Sequence, residues 1–216
     1  MSRSGPLTGL LGGSFNPAHR GHRRITIFAL RRLRLEEVWW LVSPGNPLKT
    51  AAGMAPLSAR VAAAQRQARG SPIRVTAIER ELGTRYTVET LRALLRRYPR
   101  RRFVWLMGSD NLAQFHRWKD WRGIARLMPI AVIARPGYDA AAMASPAMAW
   151  LGRHRRRPEA LKDPARRSCP ALYLLRFDPD PRSATAIRSA DPHWHRRFAV
   201  ASRDGVTHRP VPADPA

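Results

Sequence analysis

Six short apolar runs, separated by stretches with helical spacing, constrain the fold of this 216-residue chain most strongly. Segments of this length predict strands, and the one at 73–78 alternates apolar with polar residues. Strands that alternate with helices along a chain form parallel sheets. We therefore expect an α/β fold, a doubly wound Rossmann-like parallel sheet flanked by helices in a single domain. The predicted strands cover residues 7–11, 38–42, 73–78, 103–107, 130–134 and 171–175.

Helical segments and turns complete this outline. The first strand leads into a helix that continues through Leu33, and later helices are predicted at 57–69, 87–98 and 111–121, with Thr87 as an N-cap. Residues 138–170 predict a peripheral helix with loops. We assign residues 1–190 to the domain and expect residues 191–216, rich in proline and arginine, to form a partly disordered tail.

A glycine-rich turn follows the first strand, where residues 12–22 read GGSFNPAHRGH. Glycines let the backbone approach an anion, and the start of the next helix offers unpaired N–H groups and a positive dipole. The histidines that flank Gly21 add donors that can follow a phosphate through a reaction. Further turns at 44–46, 108–110 and 135–137 also follow predicted strands, and parallel sheets bind ligands at that edge. The sequence thus predicts one phosphate-binding site there.

The formal charge of +24 favours contact with polyanions at low salt, whatever the function. Only three of the 39 basic residues are lysines, a skew more typical of GC-rich codon usage than of one binding patch. We favour a basic surface with an anionic small-molecule substrate, and nucleic-acid binding stays open. The single cysteine, Cys169, excludes an intramolecular disulfide framework. Because the amino terminus lacks a secretory apolar core and no run is long enough to span a bilayer, we expect a cytoplasmic protein without membrane contact.

Five segments in the same order resemble the nicotinate-nucleotide adenylyltransferases of the HxGH nucleotidyltransferase superfamily, over roughly residues 7–188. The segments are GGSFNPAHRGH at 12–22, PGNPLK at 44–49, RYTVETL at 85–91, GSD at 108–110 followed by Phe115 and Trp118, and SATAIR at 183–188. One such motif is shared by several adenylyl- and cytidylyltransferases, so the ordered set makes the resemblance specific.

The resemblance implies transfer of AMP from ATP to nicotinate mononucleotide, which gives deamido-NAD and pyrophosphate in NAD biosynthesis. Catalytic roles then fall to His19, His22 and Arg188. The implied ATP-binding residues are Gly12, Gly13, Ser14, Phe15, Gly108, Asp110, Ser183 and Thr185. The implied mononucleotide-binding residues are Asn46, Lys49, Thr87, Trp118 and Lys119. No carboxylate cluster suits a dedicated metal site, so Mg²⁺ is expected to arrive with ATP.

Several of these residues also have simpler interpretations. Trp118 is either a stacking partner for the pyridine ring or part of the core, and Asp110 is either a ribose ligand or a helix cap. Lys49 and Tyr86 have surface or packing roles as alternatives. Ala184 replaces the second serine of the family's last motif, and the tail replaces an apolar helix.

Two other functions stay open at this point. An enzyme of the same chemistry could use nicotinamide mononucleotide, phosphopantetheine or a sugar phosphate as acceptor, although Trp118 favours a flat ring. A nucleic-acid-binding protein could use the positive charge, but no aromatic-basic RNA motif or helix-turn-helix spacing accompanies it.

Overall fold

The computed structural model describes residues 5–45, 53–134, 139–161, 163, 168–177, 184–198 and 202–211. Its strands are β1 (Leu7–Gly13), β2 (Glu37–Val42), β3 (Ile73–Thr76), β4 (Arg102–Gly108), β5 (Ile130–Ile133), β6 (Leu172–Leu175), β7 (Ser202–Arg203) and β8 (Pro210–Val211). Its α-helices are α1 (Arg20–Leu33), α2 (Leu57–Ala68), α3 (Ile78–Leu82), α4 (Thr87–Arg97), α5 (Ser109–Gln114), α6 (Trp121–Leu127), α7 (Asp139–Met143), α8 (Pro146–Leu151) and α9 (Ala184–Ala190). Short 3₁₀ helices cover Phe115–Arg117, Gly152–His154, Pro158–Leu161 and Trp194–Phe198.

The first six strands form one parallel sheet in the order β3-β2-β1-β4-β5-β6. The chain runs outward from β1 to β3, returns to β4 beside β1, and then runs outward to β6. The direction of winding therefore reverses between β1 and β4, and in such sheets the ligand crevice opens at that reversal. This topology confirms the predicted doubly wound α/β fold and locates the crevice at the ends of β1 and β4.

The core lies on both faces of the sheet, and two adjacent tryptophans illustrate how. Trp39 and Trp40 follow each other on β2, so their side chains point to opposite faces. Trp40 packs with the layer that includes α1 and α2, whereas Trp39 packs with the layer that includes α4 and α6. Both are at most 1% exposed. Each indole thus anchors one helical layer to the same strand.

The third strand is shorter than its sequence pattern predicts. The alternation of apolar residues at 73–78 predicts one strand, but β3 ends at Thr76 and Ile78 begins α3. The Thr76 hydroxyl accepts the N–H of Ile78 at 3.1 Å, a local bond that turns the chain into the helix. Alternation alone did not reveal this competing hydrogen bond.

Two helix boundaries also differ from the prediction. The segment 111–121 is not one helix, because α5 ends at Gln114, a 3₁₀ turn follows and Trp118 is extended with a ψ of 144°. The next helix, α6, begins after Asp120, which has a φ of 47° and whose carboxylate accepts the N–H of Gly123 at 3.1 Å. The N-cap of α4 is Tyr86, and Thr87 is the first residue inside the helix. The predicted peripheral helix within 138–170 corresponds to the short helices α7 and α8.

Part of the carboxyl-terminal segment contacts the domain closely. Trp194 is 2% exposed and packs beside Ala55 and Ala63 at the α2 side of the molecule. Further along, β7 and β8 pair as a small antiparallel hairpin, and Gly205 between them donates its N–H to the Val75 carbonyl at 2.7 Å. The described part of the tail is therefore attached to α2 and β3, where the sequence indicated no regular structure. Disorder in part of the tail stays a prediction.

None of the helices in the described ranges is long and apolar enough to cross a membrane.

Candidate active site

The glycine-rich turn at the end of β1 forms the floor of the crevice. A Cβ at Gly12 would lie 2.6 Å from Cη2 of the buried Trp105 on the neighbouring strand β4, so any side chain there would have to displace that indole. After Gly13, Phe15 has a φ of 46°, a left-handed conformation that is costly for an aromatic residue. Contacts of the Phe15 ring with His22 and Trp40, and a hydrogen bond from Arg60 to the Ser14 carbonyl, hold the turn in this strained geometry.

Two histidines cap the start of α1 reciprocally. His19 is the N-cap, and its Nδ1 accepts the N–H of Gly21 at 3.1 Å. His22 is three residues further on, and its Nδ1 accepts the N–H of His19 at 3.2 Å. A neutral imidazole that accepts at one nitrogen carries its proton on the other. The capping bonds therefore make Nε2 of both rings the donor atom.

The two imidazoles lie against each other and against an aromatic wall. Their ring centroids are 3.9 Å apart, and the His22 ring lies 5.0 Å from that of Phe15. Phe15 stacks in turn on Trp40, with a centroid distance of 5.0 Å. The Trp40 indole donates to the hydroxyl of Thr26, which donates to the His22 carbonyl. These contacts fix both rings at the start of α1.

Arg188 reaches this turn from α9, although it is 172 positions away in sequence from the residue that it contacts. Its Nη1 donates to the Asn16 carbonyl at 2.6 Å, and its Nη2 donates to the hydroxyl of Thr185 at 3.2 Å. The side chain of Asn16 bonds to Gly53 and Ala55 in the segment before α2. The structure thus brings Arg188 and Thr185 to the histidine turn, as the predicted site requires.

The end of β4 supplies the neighbouring edge of the crevice. Gly108 is the last residue of β4 and the N-cap of α5, and Asp110 lies in the first turn of that helix. Because β1 and β4 are adjacent and parallel, these residues follow the same sheet edge as the glycine-rich turn. The predicted ATP residues on the two central strands therefore share one crevice.

Two of the predicted mononucleotide residues, Thr87 and Lys119, lie around the start of α4. Lys119 pairs with Glu89 of α4 at 2.7 Å, and its ammonium lies 4.2 Å from the centroid of the Tyr86 ring. The hydrogen bond from Lys119 holds the pKa of the Glu89 carboxyl below its usual range. The pair ties the segment before α6 to the helix whose first residue is Thr87.

Trp118 is partly exposed and packs edge-on against two other aromatic rings. Its centroid lies 5.3 Å from that of Phe115 and 6.3 Å from that of Trp105. One side of the indole thus contributes to packing while part of its surface is accessible.

Three of the predicted site residues, Asn46, Lys49 and Ser183, lie outside the described residues.

Glu79 is a partly buried acid near the same edge that the sequence did not single out. It lies in α3 and accepts a hydrogen bond from the hydroxyl of Thr90 on α4 at 3.4 Å. Burial raises the pKa of the Glu79 carboxyl to about 7, against the opposing effect of hydrogen bonds from Ser43 and Thr90. A proton on this carboxyl is therefore gained and lost near neutral pH.

Arg60 is a second functional candidate that sequence reasoning missed. It is 1% exposed, although it belongs to the alanine-rich helix α2. The available signal is its position: Leu57, Arg60, Val61 and Ala64 follow the spacing of a buried helical stripe, so a charge there needs partners in the interior. Its partners are backbone carbonyls, which no residue type reveals.

The site as a whole offers hydrogen-bond donors and cations. Histidine Nε2 atoms, the Arg188 guanidinium and the N–H groups of a glycine turn are suited to an anion, and phosphates above all. Among the described residues, no group of three or more histidines, cysteines or acids is placed to hold a metal ion. The arrangement can stabilise charge on phosphate oxygens.

Comparison with known proteins agrees with this chemistry. The model of the cytidylyltransferase-like family matches residues 10–190. A probable nicotinate-nucleotide adenylyltransferase of Erythrobacter litoralis (strain HTCC2594) is 68% identical over 205 residues, which are 94% of each chain. The chain belongs to the nicotinate-nucleotide adenylyltransferase family. Another probable member, from Cereibacter sphaeroides (strain ATCC 17025 / ATH 2.4.3), is 52% identical over 85% of this chain and 97% of its own.

Solved structures of family members share the fold. The Plasmodium falciparum nicotinic acid mononucleotide adenylyltransferase complexed with NaAD aligns with a TM-score of 0.62 at 14% identity, over 85% of this chain and 83% of that chain. The same enzyme complexed with APC aligns with a TM-score of 0.59 over the same shares. At 14% identity, this similarity shows that the two proteins share a fold and nothing more.

Proposed function

We propose that the chain transfers the AMP moiety of ATP to nicotinate mononucleotide and releases deamido-NAD and pyrophosphate, a step of NAD biosynthesis. The observation that carries the proposal is the reciprocal capping of His19 and His22 beside the glycine-rich turn. It presents two Nε2 donors at a helix start, where phosphate binds best. The names of the close relatives support the same reaction.

The reaction is an in-line displacement at phosphorus. A 5′-phosphate oxygen of the mononucleotide forms a bond to the α-phosphorus of ATP, and the bond from that phosphorus to the bridging oxygen of the β-phosphate breaks. The electron pair leaves with pyrophosphate, and no covalent enzyme intermediate forms. Holding both substrates in line supplies about 7–11 kcal/mol of the barrier reduction. One well-aimed donor adds about 3–4 kcal/mol, and we assign this role to Nε2–H of His22.

The remaining phosphates of ATP meet the other donors of the crevice. His19 contacts the phosphates beside His22, with the backbone of Gly12, Gly13, Ser14 and Phe15 around them. Arg188 holds the β- and γ-phosphates as pyrophosphate leaves, because its planar fork matches two phosphate oxygens and already lies against the turn. Ser183 and Thr185 assist it. Gly108 and Asp110 receive the ribose, since a carboxylate suits paired hydroxyls.

The acceptor occupies the side of the crevice near α4. Trp118 stacks on the pyridine ring through its accessible surface, and the N–H groups at the start of α4, near Thr87, favour the nicotinate carboxylate. Lys119 adds positive charge beside that helix start. We place Asn46 and Lys49 on the mononucleotide as well.

Mg²⁺ is proposed to enter bound to the phosphates of ATP, where it neutralises their charge. We further propose that the enzyme acts in the cytoplasm, and that its positive charge serves small anionic substrates and no specific nucleic acid. Binding to a random oligonucleotide should then weaken steeply with salt, whereas turnover should change far less.

A coupled assay tests the proposed function. ATP is offered with nicotinate mononucleotide or with nicotinamide mononucleotide, and kcat/KM is measured for each at equal Mg²⁺. We expect the nicotinate form to be preferred. A ratio near one, or a preference for the amide, would show that the site does not recognise the carboxylate and would overturn the acceptor assignment.

A further inference from the structure

The buried guanidinium of Arg60 forms hydrogen bonds to three separate segments that border the crevice. Its Nη1 donates to the Ser14 carbonyl at 2.9 Å in the glycine-rich turn and to the Ser43 carbonyl at 2.6 Å after β2. Its Nε donates to the Ala55 carbonyl at 2.8 Å before α2, and its Nη2 to the Pro44 carbonyl at 3.3 Å. One buried guanidinium thus holds the phosphate turn and both ends of the loop that connects β2 to α2.

These bonds fix the direction of peptide groups that face the substrates. In a trans peptide the carbonyl and the following N–H point in opposite directions. Because the Ser14 carbonyl points to Arg60, the N–H of Phe15 points away from it, and the Pro44 carbonyl orients the N–H of Gly45 in the same way. Phe15 also has the strained φ of 46°, which needs such external support.

In the proposed function, the loop between β2 and α2 binds the acceptor, whereas the glycine-rich turn binds ATP. Asn46 and Lys49, the proposed mononucleotide residues, lie in sequence between the two attachment points. Asn16 supports the same link, because its side chain bonds to the Gly53 carbonyl and the Ala55 N–H. A shift of about 1 Å between two reacting groups can cost about 100-fold in rate.

We infer that Arg60 is a positioning residue for AMP transfer, which sets the distance between the ATP turn and the acceptor loop by hydrogen bonds to their carbonyls. The inference rests on the proposed function. Loss of the guanidinium should therefore lower kcat, because both substrates still bind but no longer align. Each KM should change much less than kcat.

Kinetics of Arg60→Met and Arg60→Lys test this role. Methionine keeps the length of the side chain without a donor, and lysine keeps the charge and some of the bonds. We expect kcat to fall about 10- to 100-fold in Arg60→Met, with both KM values within about threefold, and partial recovery in Arg60→Lys. Arg66→Met is the matched control, since Arg66 lies on the same helix, is exposed and stacks on Phe198.

A purely structural role gives a different result. If the Arg60 variants lose thermal stability while kcat well below the melting temperature stays within twofold of the unmodified protein, or if only KM rises, the inference is wrong. If Arg60→Met does not fold, Arg60→Lys alone decides by the same criteria.

Hydrogen exchange separates this inference from the proposed function. In Arg60→Lys without substrates, amide exchange should accelerate at residues 12–16, 43–45 and 53–55 and stay unchanged in β4 and β5. This outcome does not depend on the reaction. If the unmodified protein makes no deamido-NAD, the proposed function is wrong. If amide exchange in Arg60→Lys is unchanged, or accelerates equally across the chain, the role of Arg60 is wrong.

Discussion

The imidazole of His22 serves two purposes at its two nitrogens, and substitutions can separate them. Asparagine places an acceptor oxygen near the position of Nδ1, so His22→Asn keeps the bond from the His19 N–H but lacks the Nε2 donor. We expect both His22→Asn and His22→Ala to lower kcat by about 10²–10⁴-fold. Turnover is compared with that of His193→Ala, which changes an exposed histidine.

Thermal melting of the same variants checks that the loss is chemical. His22→Asn should melt close to the unmodified protein, and His22→Ala slightly lower because it loses a cap. Turnover above about half of the original rate in His22→Asn would remove His22 from the reaction.

Trp118→Ala distinguishes stacking on the substrate from packing in the core. Stacking is worth about 1–3 kcal/mol, so we expect the KM for nicotinate mononucleotide to rise about 5- to 150-fold. The KM for ATP should stay nearly constant. If Trp118 only packs against Phe115 and Trp105, the variant loses melting temperature while the acceptor KM is unchanged.

At the scale of single residues, spacing along the chain predicted local relations, whereas the distant position of Arg188 was implied only by the family resemblance and that of Arg60 was missed. His19 and His22 could be predicted because they are three positions apart at a helix start, where their geometry is set by the helix itself. Arg60 could not, because its partners are carbonyls at Ser14, Ser43 and Ala55, which come together only in the folded chain. The raised pKa of Glu79 likewise depends on burial beneath neighbouring elements.

At the scale of the element, α3 carries a pH-dependent contribution through Glu79. Its pKa is about 7 in the folded protein and near the ordinary value of 4.5 in the unfolded chain. Below pH 4.5 both states hold the proton, and the stabilising contribution is complete. Between these values the unfolded state loses its proton first, so the free energy of unfolding falls as pH rises, until the contribution is lost above about pH 7.

Urea denaturation across this range measures the effect. Glu79→Gln cannot ionise, so its stability relative to the unmodified protein should increase from about pH 5 to about pH 8. Glu159→Gln, at an exposed carboxyl, is the control. Parallel curves for Glu79→Gln and the unmodified protein would contradict the raised pKa.

The strands were easier to predict than the helix ends for a physical reason. Strands of a parallel sheet are buried on both faces, so a continuous apolar run such as VWWLV in β2 is compatible with few structures other than a buried strand. Helix ends depend on single hydrogen bonds instead. The start of α6 is set where the Asp120 carboxylate accepts the N–H of Gly123, and β3 gives way to α3 where the Thr76 hydroxyl accepts the N–H of Ile78.

At the scale of the whole molecule, one buried carboxylate strengthens the attachment of the tail to the domain. The Asp204 side chain is 5% exposed and accepts the Thr76 hydroxyl at 2.8 Å and the Ala77 N–H at 2.7 Å. It also accepts two N–H groups of its own hairpin, from Val206 and Thr207. Asp204→Ala leaves buried donors without an acceptor, at about 1–3 kcal/mol for each.

We therefore expect Asp204→Ala to lower the free energy of unfolding by about 2–6 kcal/mol, from the two buried donors of Thr76 and Ala77, measured by urea denaturation. Asp191→Ala is the control, because that carboxylate is more exposed and pairs with Arg197. Equal stability of the two variants would show that the buried contacts of Asp204 do not stabilise the fold.

The hairpin contact at Gly205 has a consequence for self-association. An edge strand with open N–H and carbonyl groups can recruit a strand from another molecule. Here the N–H of Gly205 bonds to the Val75 carbonyl on β3, and the N–H of Arg156 bonds to the Leu172 carbonyl on β6, so chain from outside the sheet contacts both edge strands. A protein made without residues 202–211 would expose the β3 margin, and its strands would be free to add to one another in a growing aggregate.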